Sequence, residues 1–307
     1  MKTISKVFSC ILAFSSLLGS VEGQNRYKIW YDKPASYWEE ALPVGNGRIA
    51  AMVFGDPQLE QIQLNEETVS AGSPYQNYNE EAKAALPEMR RLIFEGKYEE
   101  AQNMAATKIL SQVGNEMPYQ TVGRLNIRYQ DHKKVNNYYR DLDISNAVAV
   151  TRYEVDGVEF TEETFASFTD QLVIRHIKSS KPGAINCELF FNTPMRDPKR
   201  SIYGKKGLRL EGITHGSRYF PGKVHYCADL DVKNKGGEVT MANDTLLSVQ
   251  GASELTLYIS MATNFVNYKD ISGDPYQRNK TYLKNAEKEY DKAKAAHIAA
   301  YQEQFNR

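Results

Sequence analysis

The sequence predicts a mainly β fold, two stacked antiparallel sheets, on three observations. Short runs of four to eight residues alternate apolar and polar side chains at a period of two through most of the chain. Turn pairs separate them: Asn46-Gly47, Asp156-Gly157, Pro182-Gly183, Gly236-Gly237 and Asn243-Asp244. Twenty tyrosines, mostly inside these runs, suit a pleated, half-buried surface. With little helix between the runs, antiparallel pairing follows, and a sandwich fits better than a barrel.

The first residues read as a secretory leader. Lys2 and Lys6 precede an apolar stretch from Val7 to Leu18, and Val21-Glu22-Gly23 offers small residues for cleavage before Gln24. A secreted or periplasmic address is therefore expected, with the mature chain running from 24. Tyr27 to Tyr31 reads as the opening strand. Pro34 to Glu40 is a loop whose Trp38 is expected in the core. Asn46-Gly47 is expected to supply the positive φ angles of a tight hairpin. Arg48 to Phe54, apolar nearly throughout, should be buried on both faces, until Gly55-Asp56-Pro57 breaks the run. Ile62 and Leu64 then alternate with Gln61 and Gln63, and the strand delivers Asn65-Glu66-Glu67-Thr68 into a loop ending near Gly72 and Pro74.

The segment from Asn79 to Gln112 changes period. Asn79 caps an acidic first turn, Pro87 is expected at the first position of a second helix that Gly96 ends, and Tyr98 to Gln112 is expected as a third. Period two returns from Pro118. Strands are expected at 125–129, 148–155, 158–161, 165–168, 172–177, 184–191, 208–213, 223–232, 239–241, 245–249 and 255–262. Asp274-Pro275 then opens a charged helical stretch over 276–307. Leu283, Ala286, Tyr290, Ala293, His297, Tyr301 and Phe305 share one side of it. That stripe is expected to dock on something outside this chain, or to belong to a connector.

Composition removes several functions. The full chain carries 38 basic and 38 acidic residues; without Lys2, Lys6 and Glu22 its formal charge is −1. No basic excess is available for nucleic acid. Mean hydropathy is −0.55, and no long apolar run follows the leader, so no membrane partner is expected after cleavage. Cys187 and Cys227 lie in strand-like runs; a disulfide is compatible with a secreted address, and two free buried thiols are the expectation. No zinc-ligand spacing appears among the five histidines, so no metal or cofactor is expected, and His176 reads as structural. Asn243-Asp244-Thr245 and Asn279-Lys280-Thr281 match glycosylation acceptors.

Several blocks carry a specific resemblance: Trp38-Glu39-Glu40-Ala41-Leu42-Pro43-Val44-Gly45-Asn46-Gly47-Arg48, Met52-Val53-Phe54-Gly55, Ile62-Gln63-Leu64-Asn65-Glu66-Glu67-Thr68 and Gly72-Ser73-Pro74. Others follow at 96–101, 139–143, 157–163 and 297–302. In this order they resemble the N-terminal part of glycoside hydrolase family 95, whose members are α-L-fucosidases with α-L-galactosidase relatives. The resemblance implies an antiparallel β-supersandwich over 24–273, with a short helical insertion and a C-terminal linker helix over 274–307. It also implies an (α/α)6 barrel, here absent, that carries the acid and base for inverting hydrolysis of a fucosylated glycan. One departure is Ser70, where the family usually has tryptophan.

Glycoside hydrolysis needs two carboxyl groups flanking the scissile bond. No position matches the family's catalytic motifs, so no catalytic residue is assigned. Asp56, Glu66 and Glu67 form the nearest acidic cluster and read as solvated loop acids. The loop residues Asn65, Glu66 and Thr68 are the candidate site, for orienting substrate or for fixing the contact with the barrel; plain loop capping is the alternative. Three readings follow: a non-catalytic domain of an α-L-fucosidase-like enzyme, a free-standing carbohydrate-binding module using Trp38, or a structural module that assembles with a separately encoded barrel.

Overall fold

Alternation along the chain becomes two facing sheets. The computed structural model describes residues 27–111, 117–216 and 220–307; the expected leader lies outside them. The strands are β1 (Lys28–Tyr31), β2 (Leu42–Gly45), β3 (Ile49–Val53), β4 (Leu59–Glu66), β5 (Gly123–Tyr129), β6 (Asn136–Asp143), β7 (Val148–Val155) and β8 (Val158–Ala166). They continue with β9 (Val173–Ser179), β10 (Ile185–Asn192), β11 (Arg196–Tyr203), β12 (Gly207–Ile213), β13 (His225–Lys235), β14 (Glu238–Asn243), β15 (Leu246–Ala252) and β16 (Glu254–Thr263). One sheet runs β1-β6-β7-β8-β9-β16-β13-β12-β11, the other β14-β15-β10-β5-β4-β3-β2, and every pairing is antiparallel. The inward residues of both sheets, among them Ile62, Leu64, Leu125, Ile127 and Leu189 against Phe160, Ile177, Leu230 and Leu257, form one continuous core. Each such side chain contributes about 1.5–3 kcal/mol by leaving water.

Several expectations are corrected. β3 buries Ile49, Ala51 and Val53 but leaves Ala50 and Met52 half-buried, so one face is sealed rather than two; it lies next to the edge strand β2. β8 is one strand where two were expected. β6 and β11 were not expected as strands. β11 is an edge strand of mostly exposed polar side chains around Pro198, and such a strand needs no apolar alternation. Trp38 is 50% exposed in a 3-10 turn, not in the core. Only Gly47 of the Asn46-Gly47 pair has a positive φ, at 93°. Asn46 works through its side chain instead: its Oδ1 accepts the N–H groups of Arg48 and Ile49 at 3.1 and 2.9 Å.

The helical insertion holds α1 (Ala82–Phe94) and α2 (Tyr98–Met104), the latter running into a π turn at Ala105–Ile109. Pro87 lies inside α1, not at a helix start. The alanine-rich start, tied to Asn79 by the N–H groups of Glu81 and Ala82, nucleates upstream, and the proline forgoes one bond to the Lys83 carbonyl. Gly96, at φ 74°, closes α1 as expected.

The C-terminal stretch forms α3 (Pro275–Leu283), a 3-10 turn at Lys284–Glu287 and α4 (Tyr290–Phe305). Its stripe does not wait for an outside partner. Ala286, Ala293, Tyr282, Tyr290 and Ile298 pack on the outer face of the nine-stranded sheet, over Val148, Val150, Phe165, Ile174 and Tyr258. His297 stacks on Phe165 at 4.7 Å, and Phe305 meets Tyr27 edge-on at 5.6 Å. Asn279 is fully buried in this packing; its amide donates to the Cys227 carbonyl and its Oδ1 accepts from Ser260, so it is no glycan acceptor in the folded chain. Cys187 and Cys227 are free and buried. Among the described residues no helix is long and apolar enough to cross a membrane.

Candidate functional site

The loop after β4 begins at a carboxylate turned inward. Glu60, Ile62, Leu64 and Glu66 occupy the buried face of β4, and Glu66 is 4% exposed. Thr68 donates its backbone N–H and its hydroxyl to Glu66 Oε2, at 2.8 and 2.6 Å. The same hydroxyl accepts from that of Thr263, the last residue of β16 in the opposite sheet. Arg48 stands 3.6 Å from Glu66 Oε1 and crosses to the other sheet as well. It donates to the Met261 carbonyl at 2.7 Å, to Gln171 Oε1 at 2.7 Å and to the Gln171 carbonyl at 3.1 Å, with the Tyr282 ring 4.4 Å from its guanidinium. Burial pushes the Glu66 carboxyl up, against the Thr68 hydrogen bonds and the Arg48 charge that favour its ionised form. The cluster latches the two sheets together at one end of the sandwich.

Of the three sequence-predicted residues, Glu66 and Thr68 meet in this latch. Asn65 lies half-buried on the opposite face of β4, across from Ala50. Glu66 is a buried strand end rather than a solvated loop acid. Arg48, Thr263 and Tyr282 complete the latch and were not singled out in the sequence. The signal for Arg48 was a charged residue directly after a Gly turn and directly before a buried strand.

Beyond the latch, the loop opens into a cleft of about 620 Å³. Glu67, Thr68 and Ser70 form one side, and Tyr75, Phe265 and Tyr268 supply aromatic wall. Tyr75 stacks on Phe220 at 4.3 Å. The loop is held in place by its backbone: Ser70 bridges Tyr119, Gly72 donates to the His215 carbonyl at 3.0 Å, and Gln120 donates to the Val69 carbonyl at 2.8 Å. The Tyr119 hydroxyl donates to the Glu66 carbonyl at 3.1 Å; burial and the nearby Glu66 charge push it up to about 12.

Residues 29–268 match the N-terminal domain of glycosyl hydrolase family 65. The chain belongs to this family. Its curated relatives bear out the resemblance read from the motif blocks. Alpha-L-fucosidase 2 of Arabidopsis thaliana is 30% identical over 308 residues, covering 91% of this chain and 36% of the relative. Probable alpha-fucosidase A of Aspergillus niger is 26% identical over 302 residues, covering 91% and 37%. The chain thus spans little more than a third of the length of these relatives. A putative kojibiose phosphorylase from human microbiome superposes with a TM-score of 0.52 at 10% identity, over 91% of this chain and 37% of that one, a likeness of fold alone.

In this family 65 N-terminal domain the acids are unevenly placed. Among the described residues, those lining the cleft bring one carboxyl group, Glu67, to its wall. Other carboxyls are sealed in the core. Arg175 contacts Glu162 and lies 3.9 Å from Glu60 Oε2, and all three are fully buried. Glu162 Oε1 accepts from the Tyr129 and Tyr153 hydroxyls at 2.6 and 2.7 Å. Burial pushes the Glu60 carboxyl up to about 8, although Arg175 opposes it. No substrate reaches these groups without unfolding the sandwich. Among the described residues no group of three or more His, Cys, Asp or Glu side chains is placed to hold a metal ion. His176 stacks on Tyr290 at 3.9 Å and shares a hydrogen bond with Thr256, which makes it part of the helix packing.

Proposed function

We propose that this region is the non-catalytic N-terminal domain of a secreted or periplasmic α-L-fucosidase-like glycoside hydrolase. In this reading it supports an (α/α)6 catalytic domain outside the present chain, which supplies acid and base for inverting hydrolysis of α-L-fucosides. The observation that carries it is the distribution of acids: among the described residues the open cleft offers Glu67 alone, and Glu66, Glu60 and Glu162 are committed to holding the sheets. Two carboxyls across a scissile bond are required, and the described lining holds one. The match to alpha-fucosidases over about a third of their length supports the same view. Glu66 and Thr68 then act as positioning residues. They fix the loop that presents Glu67, Ser70 and Tyr75 to the catalytic domain, and Asn65 flanks that contact from the sheet's outer face. Residues 24–273 form the supporting domain, and 274–307 lead into the helical linker.

A fluorogenic α-L-fucoside tests the proposal. The 307-residue chain should give no turnover above a heat-treated control, and a chain extended through the following domain should give turnover. Thr68→Val in the extended chain should lower kcat/KM without abolishing activity. Release of fucose by the 307-residue chain alone would overturn the proposal.

A further inference from the structure

The outer face of the seven-stranded sheet is open, polar and bordered by aromatic side chains. Tyr37 and Trp38 stand beside it, 58% and 50% exposed. Together with Phe54, Gln61 and Arg124 they line a cleft of about 360 Å³. A second cleft of about 420 Å³ begins on the other side of Arg124 and is lined by Gln63, Thr121 and Asn192. The two share the Arg124 side chain and so follow one another across β4 and β5. Each falls in the range of about 300–1,000 Å³ usual for small-molecule sites.

We infer that this face binds a neutral oligosaccharide of two or more sugar units. Sugars present apolar ring faces and a rim of hydroxyls, each both donor and acceptor. Trp38 and Tyr37 offer flat apolar area for the first, and the amides of Gln61, Gln63 and Asn192 offer donors and acceptors for the second. Among the described residues lining the two clefts only Arg124 and Asp56 carry charge, and they sum to zero; the Arg124 guanidinium donates to Gln61 Oε1 at 2.7 Å and lies 5.8 Å from the Phe54 ring centre. Asp56 Oδ1 accepts the N–H groups of Gln58 and Leu59. No surplus charge is left to select an acidic or basic ligand.

The aromatic border is also built in advance. Buried Arg140 donates to the carbonyls of Lys33 and Glu40 at 2.8 and 2.7 Å, clamping both ends of the loop that carries Tyr37 and Trp38. Ala35 donates to the Phe54 carbonyl at 2.9 Å, and Glu40 accepts the Ser36 N–H at 2.8 Å. A loop held this way loses little freedom on binding, which favours affinity.

The chain contains two tryptophans, Trp30 and Trp38, so Trp30→Phe leaves Trp38 as the sole indole reporter. Titrating this variant with cellotetraose, mannotetraose, xylotetraose and chitotetraose should give a saturable change in emission with at least one of them, at a Kd of about 1 mM or tighter. Arg124→Ala in the same background, and Trp38→Ala followed by calorimetry, should each weaken that binding about tenfold with an unchanged thermal midpoint. No saturable change with any of the four, on folded protein, would overturn the inference. Equally tight binding of tetragalacturonate would overturn the neutral class of ligand. Because the readout is binding and needs no hydrolysis, its failure leaves the proposed catalytic partnership untouched.

Discussion

Two arginine–glutamate clusters join the sheets of this sandwich, and they solve the same problem under different solvent conditions. In the core, Arg175 faces Glu162 and Glu60, and water reaches none of them. At the end of the sandwich, Arg48 faces Glu66 next to an open cleft. The end cluster spreads its bonds: Thr68 gives Glu66 two donors, and Arg48 gives three to groups of its own. The core cluster leaves groups of both kinds unpaired. Both Glu60 oxygens and Arg175 Nε lack hydrogen-bond partners. Two carboxylates sharing one guanidinium in a dry site cannot both ionise cheaply, so Glu60 keeps its proton well above the usual range. Enclosure therefore turns an ion pair into a proton-holding site, whereas partial access lets its counterpart serve as a plain latch.

The largest test removes the central cation. Arg175→Met should cost about 3–5 kcal/mol of unfolding free energy, because it leaves buried carboxyls without their partner. Urea denaturation measures it. A loss below about 1 kcal/mol would mean that the core cluster is no more consequential than a surface pair.

Next comes the proton itself. In the unfolded chain Glu60 titrates near 4.5, and in the folded chain near about 8. Below 4.5 both states are protonated, and the folded state keeps whatever stability this group allows. Between 4.5 and 8 the unfolded state gives up the proton while the folded state retains it, so stability falls as pH rises, by an amount on the order of a few kcal/mol. Glu60→Gln should remove that slope. Unfolding curves of the two proteins from pH 5 to 8 should diverge, with the variant gaining on the native chain as pH increases; parallel curves would refute the assignment.

The latch should respond less. Thr68→Val keeps shape but deprives Glu66 of a hydroxyl donor and leaves Thr263 without its partner. A loss of about 1–3 kcal/mol is expected, together with faster amide exchange at Ser70 and Gly72 and no change at Tyr129. Uniform exchange across the sandwich would show that the latch is not a local device.

Much of this was legible from periodicity. Strand alternation, the turn pairs, Gly96 and the free thiols all follow from local residue chemistry, as the antiparallel ladders show. The core cluster was readable too, by parity: Glu60 shares the phase of Ile62 and Leu64, and Arg175 that of Val173 and Ile177. A charge in phase with an apolar face is a buried charge in want of a partner. Which partner it finds is a long-range fact, since Glu60 and Arg175 are in different sheets. The same limit hid β11, whose polar edge has no pattern, and the exposure of Trp38, which depends on where Arg140 clamps the loop. The docking of α4 was illegible for a related reason. Its stripe was plain, and the strands that receive it carry unbroken apolar runs, Val148-Ala149-Val150, Val173-Ile174 and Leu257-Tyr258-Ile259, but such runs mark burial on both faces without saying what covers the outer one.

The smallest effect separates two neighbours in sequence. Glu66 and Glu67 differ by one residue and by a half-turn of the strand, which puts the first inside the latch and the second on the cleft wall. Glu67 contributes its backbone N–H to the Arg48 carbonyl at 2.8 Å, a bond that any residue preserves. Glu67→Gln should therefore change unfolding free energy by less than about 0.5 kcal/mol. Glu66→Gln should cost more, because an amide nitrogen placed toward Arg48 or Thr68 sets donor against donor where the carboxylate oxygen accepted. Measuring both by the same urea titration isolates enclosure from charge, since each substitution removes one carboxyl of identical chemistry. Equal costs would show that the cleft acid is bound into the fold as firmly as the latch acid, and would leave the cleft with no carboxyl among its described residues free to meet another domain.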